Sequence, residues 1–143
     1  MISQLTVFIE NRKGHLAQAC RVIADEDINM RALFLADTTD FGIARIFCDC
    51  PEKAAEALRG AGFRAKVIDV LGVRVPDRKG GLAELLEFLD RENVDVEYGY
   101  CFSINENFAI DVLKVNDASI ELRLVEAGYA LVQSEEVYAL DDC

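Results

Sequence analysis

Glu10-Asn11-Arg12-Lys13-Gly14-His15-Leu16-Ala17 returns 66 positions later as Pro76-Asp77-Arg78-Lys79-Gly80-Gly81-Leu82-Ala83. Each copy follows an apolar run rich in β-branched residues, Leu5-Thr6-Val7-Phe8-Ile9 and Leu71-Gly72-Val73-Arg74-Val75. Each precedes a segment of helical period. Both copies therefore read as strand-to-helix turns with glycine at the bend. Such a turn aims free backbone N–H groups and the positive end of a helix dipole at whatever sits above it, which suits a small anion such as a carboxylate.

Working outward, residues 2–9 alternate as a strand and 15–26 carry Leu16, Ala19, Cys20 and Ile23 on one helical face. Residues 28–36 and 41–48 read as two strands joined by the turn Asp37-Thr38-Thr39-Asp40. Pro51 opens a second helix, which Gly60 and Gly62 end. Residues 63–69 make a fourth strand. The order then repeats: strand 70–75, helix 82–92, strands 94–102 and 107–115 across Asn105-Glu106-Asn107, helix 118–127, strand 130–138. Ala61-Gly62-Phe63 is echoed 66 residues on by Ala127-Gly128-Tyr129. The expectation is an α+β chain of two tandem ferredoxin-like βαββαβ repeats, residues 1–69 and 70–143, each an antiparallel sheet with both helices on one face.

The net charge of −11 opposes docking on phosphate backbones or anionic lipid, so nucleic acid and membrane surfaces are not expected partners. No apolar run is long enough to span a bilayer. Met1-Ile2-Ser3-Gln4 lacks a basic segment followed by an apolar one, so no signal peptide is expected. Five cysteines at irregular spacing (Cys20, Cys48, Cys50, Cys101, Cys143) read as reduced thiols of a cytoplasmic protein, with Cys48 and Cys50 on one side of a strand. A single histidine excludes metal clusters built on several. No Walker loop, Gly-x-Ser-x-Gly or Cys-x-x-Cys is present, so no cofactor and no catalysis are expected. Asp40-Phe41-Gly42 copies a kinase tripeptide in a chain too short for a kinase. Asp25-Glu26-Asp27 and Asp141-Asp142 lack the ligand spacing of a calcium loop.

The turns also resemble the ACT domain, a small-molecule-sensing module often fused to enzymes of amino-acid metabolism. The matching pattern is a strand, Asn/Asp-x-x-Gly-x-Leu-Ala, a helix, then Ile-Asn-x or its equivalent opening the second strand. Here these are Asn11–Ala17 with Ile28-Asn29-Met30, and Asp77–Ala83 with Val94-Asp95-Val96. The resemblance implies binding of a free amino acid at an interface between modules. Carried over by position, it implies ligand contact at Asn11, Lys13, Gly14, His15, Leu16, Asn29 and Met30, and at Asp77, Gly80, Gly81, Leu82 and Asp95. Lys13 and Lys79 stand where family members often have proline.

The residues themselves supply a chemistry. The N–H groups after Gly14 or Gly80 suit a carboxylate. Side-chain oxygens of Asn11, Asn29, Asp77 or Asp95 suit an ammonium. Each has a plainer reading: Asn11 and Asp77 cap their own turns, Asn29 and Asp95 are surface residues on a strand, and His15 is a solvated residue of the first helical turn. Acidic Asp77 and Asp95 predict that the second repeat holds an amino acid less well than the first. Strand alternation puts Ile28, Met30 and Phe34 towards the helices. It puts Asn29, Arg31, Leu33 and Leu35 on the open face, with Phe8, Ile43 and Phe47. That apolar face predicts a cover, with a homodimer favoured. A biosynthetic enzyme is the other expected partner. The first half resembles the regulatory subunit of acetolactate synthase.

Overall fold

A computed structural model of the chain describes residues 1–37, 41–103, 107–141 and 143. Both expected hairpin turns, at 37–40 and 105–107, and the Asp40-Phe41-Gly42 tripeptide fall wholly or partly outside these residues. The elements in chain order are β1 (Ile2–Glu10), α1 (His15–Asp25), β2 (Met30–Asp37), β3 (Phe41–Cys48), α2 (Pro51–Gly60), β4 (Arg64–Pro76), α3 (Gly81–Arg91), β5 (Val96–Ser103), β6 (Phe108–Val115), α4 (Ile120–Glu126) and β7 (Ala130–Leu131). The chain divides into two compact units. The first is Ser3–Ile68 with Ser134–Cys143; the second is Met1–Ile2 with Asp69–Gln133.

Strand order is β2-β3-β1-β4 in the first unit and β5-β6-β4-β7 in the second. The paired strands are antiparallel. This is the α+β, tandem ferredoxin-like arrangement that the element order requires. In the first unit Leu5, Val7 and Ile9 of β1 and Ala44, Ile46 and Cys48 of β3 face Ala19 and Ile23 of α1 and Ala54, Ala55 and Leu58 of α2. The second core repeats this with Leu71, Val73, Val75, Leu85, Leu89, Leu113, Val115, Ile120 and Leu124. Burying each leucine, isoleucine or valine side chain here contributes about 1.5–3 kcal/mol. Helix α1 is followed by Asp27 and α3 by Asn93, two residues past each end and each at φ 58°. Asp and Asn are the non-glycine residues that tolerate this left-handed stop. So acidic Asp27 has a backbone role at a place where its charge opposes the helix dipole.

Four expectations change. The strands expected at 63–69 and 70–75 are one, β4, because Val70 and Leu71 continue the extended run with no breaker between. The last strand holds only Ala130–Leu131, paired to Arg74 and Val73. Polar Ser134–Glu136 then form a 3₁₀ turn, and from Ser134 the chain belongs to the first unit. The facing of β2 differs because its register shifts between Met30 and Ala32. A one-residue bulge flips every later side chain. Met30 stays over the core, but Leu33 and Leu35 pair with Ile46 and Ala44 on the helix side, while Phe34 pairs with Arg45 on the open face. The same shift recurs in β5 between Val96 and Tyr98.

The fourth change concerns the cysteines. Cys50 is not on β3; it caps α2 at φ 47° and is disulfide-bonded to Cys143. Those two are therefore not reduced thiols, whereas Cys20, Cys48 and Cys101 are free. Burial, and then the nearby Asp49 charge, push the Cys48 thiol up to about 12. Phe47 does lie on the open face, and it has a cover within its own unit. Tyr138 stacks on it at 6.4 Å between centroids and accepts the Ser3 N–H at 2.9 Å. Asp49 fixes that C-terminal segment by accepting the Ala139 N–H at 2.6 Å, and Arg31 grips Asp49 at 2.8 and 3.1 Å.

Candidate functional site

The turn after β1 is tight: Arg12 N–H donates to the Glu10 carbonyl at 2.8 Å and His15 N–H to the Arg12 carbonyl at 3.3 Å. Gly14 sits at φ 84°, where an L side chain is strained, and Gly80 repeats this at φ 85°. No side chain caps α1 or α3. The Arg12 and Arg78 carbonyls hold the first N–H of each helix, so the next ones, of Leu16 and Ala17 and of Leu82 and Ala83, are left to a ligand or to solvent.

Two clefts flank the first turn. One, of about 570 Å³, is lined by Ile9, Glu10, Asn11, Arg12, Gly14, Leu16, Ala17, Leu35 and Gly42. It joins the start of α1 to apolar side chains of β2 and α1, with Asn11 at its edge. The second, of about 380 Å³, is aromatic: Phe8, Phe41 and Phe63 with His15, Gln18, Arg12 and Arg64. Phe8 and Phe41 lie 5.9 Å apart, and the Arg64 guanidinium stands 5.2 Å over Phe8.

His15 is a hinge between sequence and geometry. It is not the solvated residue expected of a first helical turn; it is buried at 8% exposure. Its ring stacks on Phe63 at 4.7 Å, and Nδ1 accepts the Glu10 N–H at 2.7 Å. An accepting Nδ1 places the neutral ring's proton on Nε2. The second unit solves the same corner differently. Pro76, at the Glu10 position, has no N–H to give, and Gly81, at the His15 position, has no side chain to accept it. A Cβ at Gly81 would come 2.8 Å from the Pro76 carbonyl oxygen.

The correspondence extends to the aromatic cleft apart from Phe41, whose place opposite the turn is taken by Phe108. Phe8, Ile9, Glu10, Arg12, His15, Gln18, Ala61, Gly62, Phe63 and Arg64 reappear 66 positions on as Arg74, Val75, Pro76, Arg78, Gly81, Glu84, Ala127, Gly128, Tyr129 and Ala130, lining a cleft of about 280 Å³ in the second unit. There Arg78 and Glu84 bind each other at 2.6 and 3.1 Å. The hydrogen bond from Arg78 holds the Glu84 carboxyl below the usual carboxylate range. In the first unit Gln18 stands in place of Glu84, and Arg12 reaches back to Glu10 at 2.9 Å.

The structure brings Asn11, Gly14 and Leu16 together in the larger cleft and turns His15 into the aromatic one. Lys13 is exposed and lines neither cleft. Asn29 is exposed, and its carbonyl accepts the Asp49 N–H; Met30 packs against the core. Neither joins the turn. Glu10 pairs with Phe41 and Met30 with Cys48, at opposite ends of β3. Those ends are about 23 Å apart at the ordinary rise of a strand. In the second unit Asp77 and Gly80 are exposed at the turn and Gly81 is buried beside it. Leu82 is 45% exposed and lines a separate groove. Asp95 lies at the far end of its sheet, its N–H bonded to Asn116 Oδ1 at 3.1 Å. Sequence reasoning missed Phe8, Gln18, Phe41, Phe63 and Arg64. The echo of Ala61-Gly62-Phe63 pointed at the third wall, but nothing in one chain shows which loops converge.

Comparison with known proteins gives the family. The ACT domain pair family matches over residues 1–138. Protein BT0572 from Bacteroides thetaiotaomicron is similar in structure at 36% identity, with 97% of this chain and 96% of that one covered and a TM-score of 0.88. The ligand-free regulatory subunit of aspartate kinase from Thermus thermophilus is similar in fold at 14% identity, covering 87% and 91%, with a TM-score of 0.64. The regulatory subunit from Thermus flavus is similar at 17% identity, 87% and 90%, and 0.63. No curated protein matches in sequence. Matched along nearly its whole length, the chain belongs to the ACT domain pair family.

Proposed function

We propose that the chain is a regulatory module that binds a free amino acid beside the first turn and catalyses nothing itself. The observation that carries this is the uncapped start of α1 opening into a cleft that also holds Asn11, Leu16 and Leu35. An amino acid would set its carboxylate on the N–H groups of Leu16 and Ala17, its ammonium on the side-chain oxygen of Asn11, and its side chain between Leu16 and Leu35. Asn29 and Met30 lie at the far end of their sheet, so their share in a site requires another module or a second chain. We keep the division into repeats at 1–69 and 70–143 as the ancestral unit, on the strength of the 66-residue echo. Phe34 and Phe41, exposed on the open face of the first unit, favour a homodimer.

The alternative partner is a biosynthetic enzyme of which this chain is a regulatory or assembly subunit, as in an acetolactate-synthase-like complex. No helix is long and apolar enough to cross a membrane among the described residues. A cytoplasmic location goes with this reading, and the Cys50–Cys143 bond is the feature that argues against it. A thermal-shift screen against the common amino acids tests the proposal, because a ligand of the native state must raise stability. A rise with one or a few amino acids, lost in Asn11→Ala, supports it. No rise with any of them at millimolar concentration removes it.

A further inference from the structure

The second unit carries a groove of about 290 Å³ between α3 and the β5–β6 pair, lined by Leu82, Leu86, Gly99, Cys101, Leu113 and Asp111. All are apolar or weakly polar except Asp111, which is 4% exposed. Asp111 sits opposite Cys101 on the neighbouring strand, and the Cys101 thiol is its hydrogen-bond donor. A thiol is a weak donor. No ion pair among the described residues involves Asp111. A carboxylate in apolar surroundings without a cation is costly, and its burial pushes the Asp111 carboxyl up.

The fold does not ask for this carboxylate. The corresponding pair in the first unit is Leu35 and Ala44, in the same register and on the same helix-bearing face. One carboxylate and one thiol fall short of a metal site, and no cluster of three metal-ligating side chains occurs among the described residues. What the groove lacks is one positive charge on an apolar body. Its low-dielectric walls strengthen that attraction, and the net charge of −11 draws cations towards it. Its volume is that of a single small molecule.

We propose that this groove is a binding site for a small organic ammonium: a primary amine with a branched or planar apolar group, its nitrogen on Asp111 and its body between Leu82 and Leu86. The site is separate from the amino-acid cleft of the first unit, and it requires no carboxylate on its ligand.

The test is isothermal titration of the full chain at neutral pH with isopentylamine, against isopentanol and isovalerate as uncharged and anionic counterparts. The amine binds, and both counterparts bind at least tenfold more weakly. Asp111→Asn, which keeps the shape and removes the charge, lowers the amine affinity at least tenfold while its circular dichroism stays that of the parent. Should Asp111→Asn not fold, Leu86→Lys serves instead. Leu86 is exposed on α3, and a lysine there supplies a tethered ammonium that displaces the added one. Equal binding of amine and alcohol overturns the proposal. So does undiminished amine binding in Asp111→Asn or Leu86→Lys, or no amine binding up to tens of millimolar. Because the amine lacks a carboxylate, these outcomes leave the amino-acid reading of the first unit untouched.

Discussion

The exchange of Glu10 and His15 for Pro76 and Gly81 predicts a coupling that a double-mutant cycle measures. His15→Gly removes the acceptor 2.7 Å from the Glu10 N–H and the ring stacked 4.7 Å from Phe63. Leaving a half-buried donor without a partner costs about 1–3 kcal/mol. The lost ring contact adds about 0.5–1.5 kcal/mol. Glu10→Pro alone is worse, because a ring carbon replaces the hydrogen that lies between the two nitrogens. With glycine at 15 that overlap vanishes and no donor is orphaned. The turn itself accepts proline: Arg78 N–H donates to the Pro76 carbonyl at 2.8 Å, as Arg12 N–H does to Glu10. The exposed Arg12–Glu10 ion pair is lost in both backgrounds and cancels. The double variant should therefore be more stable than the sum of the single effects by about 2 kcal/mol or more. Urea unfolding of the four proteins, read by circular dichroism, gives the number. Additivity to within about 0.5 kcal/mol would show that the two positions are independent and that the comparison of the two turns is wrong.

Gly14→Ala should destabilise by about 1–2 kcal/mol, since alanine at φ 84° is strained although no neighbour lies within 4 Å of the new Cβ. Gly60→Ala, helical and equally open, should instead stabilise by about 0.4–1 kcal/mol, and thermal melts of the pair decide. Cys50→Ser, or reductant, opens a link between residues 93 apart and should cost up to about 4–5 kcal/mol in guanidinium unfolding; an unchanged midpoint would contradict the bond. Arg31's hydrogen bonds, and then the Ala139 N–H, hold the Asp49 carboxyl below its ordinary 3.8. A lowered carboxyl contributes stability that is present above 3.8 and is lost as pH falls through the folded value. The stability gap between parent and Asp49→Asn should be flat above about pH 5 and shrink below it. A gap that widens in acid reverses the sign and removes Asp49 as a clamp.

The elements were legible because the pattern was local. Period-two runs, Pro51 at a helix start and glycine at two identical turns fix the elements within a few residues, except the last strand and the break expected within β4. The second repeat confirmed the first. The facing of β2 was not legible, because a bulge between Met30 and Ala32 needs the partner strand to be seen. Nor was the disulfide: Cys50 and Cys143 are brought together by a C-terminal segment that the sequence reads as the end of a strand. In the candidate cleft, Asn11, Gly14 and Leu16 come from the one turn and lie within a few positions of each other in the sequence. Arg64 and Phe63 arrive from the far side of α2, and Asp111 from the middle of an apolar strand, where alternation marks it as one polar residue among valines and leucines. A spacing argument reaches as far as one loop; the walls of a cleft come from several.

The central claim is that the first turn, and not the second, holds a free amino acid. Calorimetric titration of the full chain with the amino acid selected by thermal shift tests it directly. The account predicts one strong site per chain, lost in Asn11→Ala and kept in Asp77→Ala. Two indistinguishable sites per chain, or binding that survives Asn11→Ala and fails in Asp77→Ala, would contradict it.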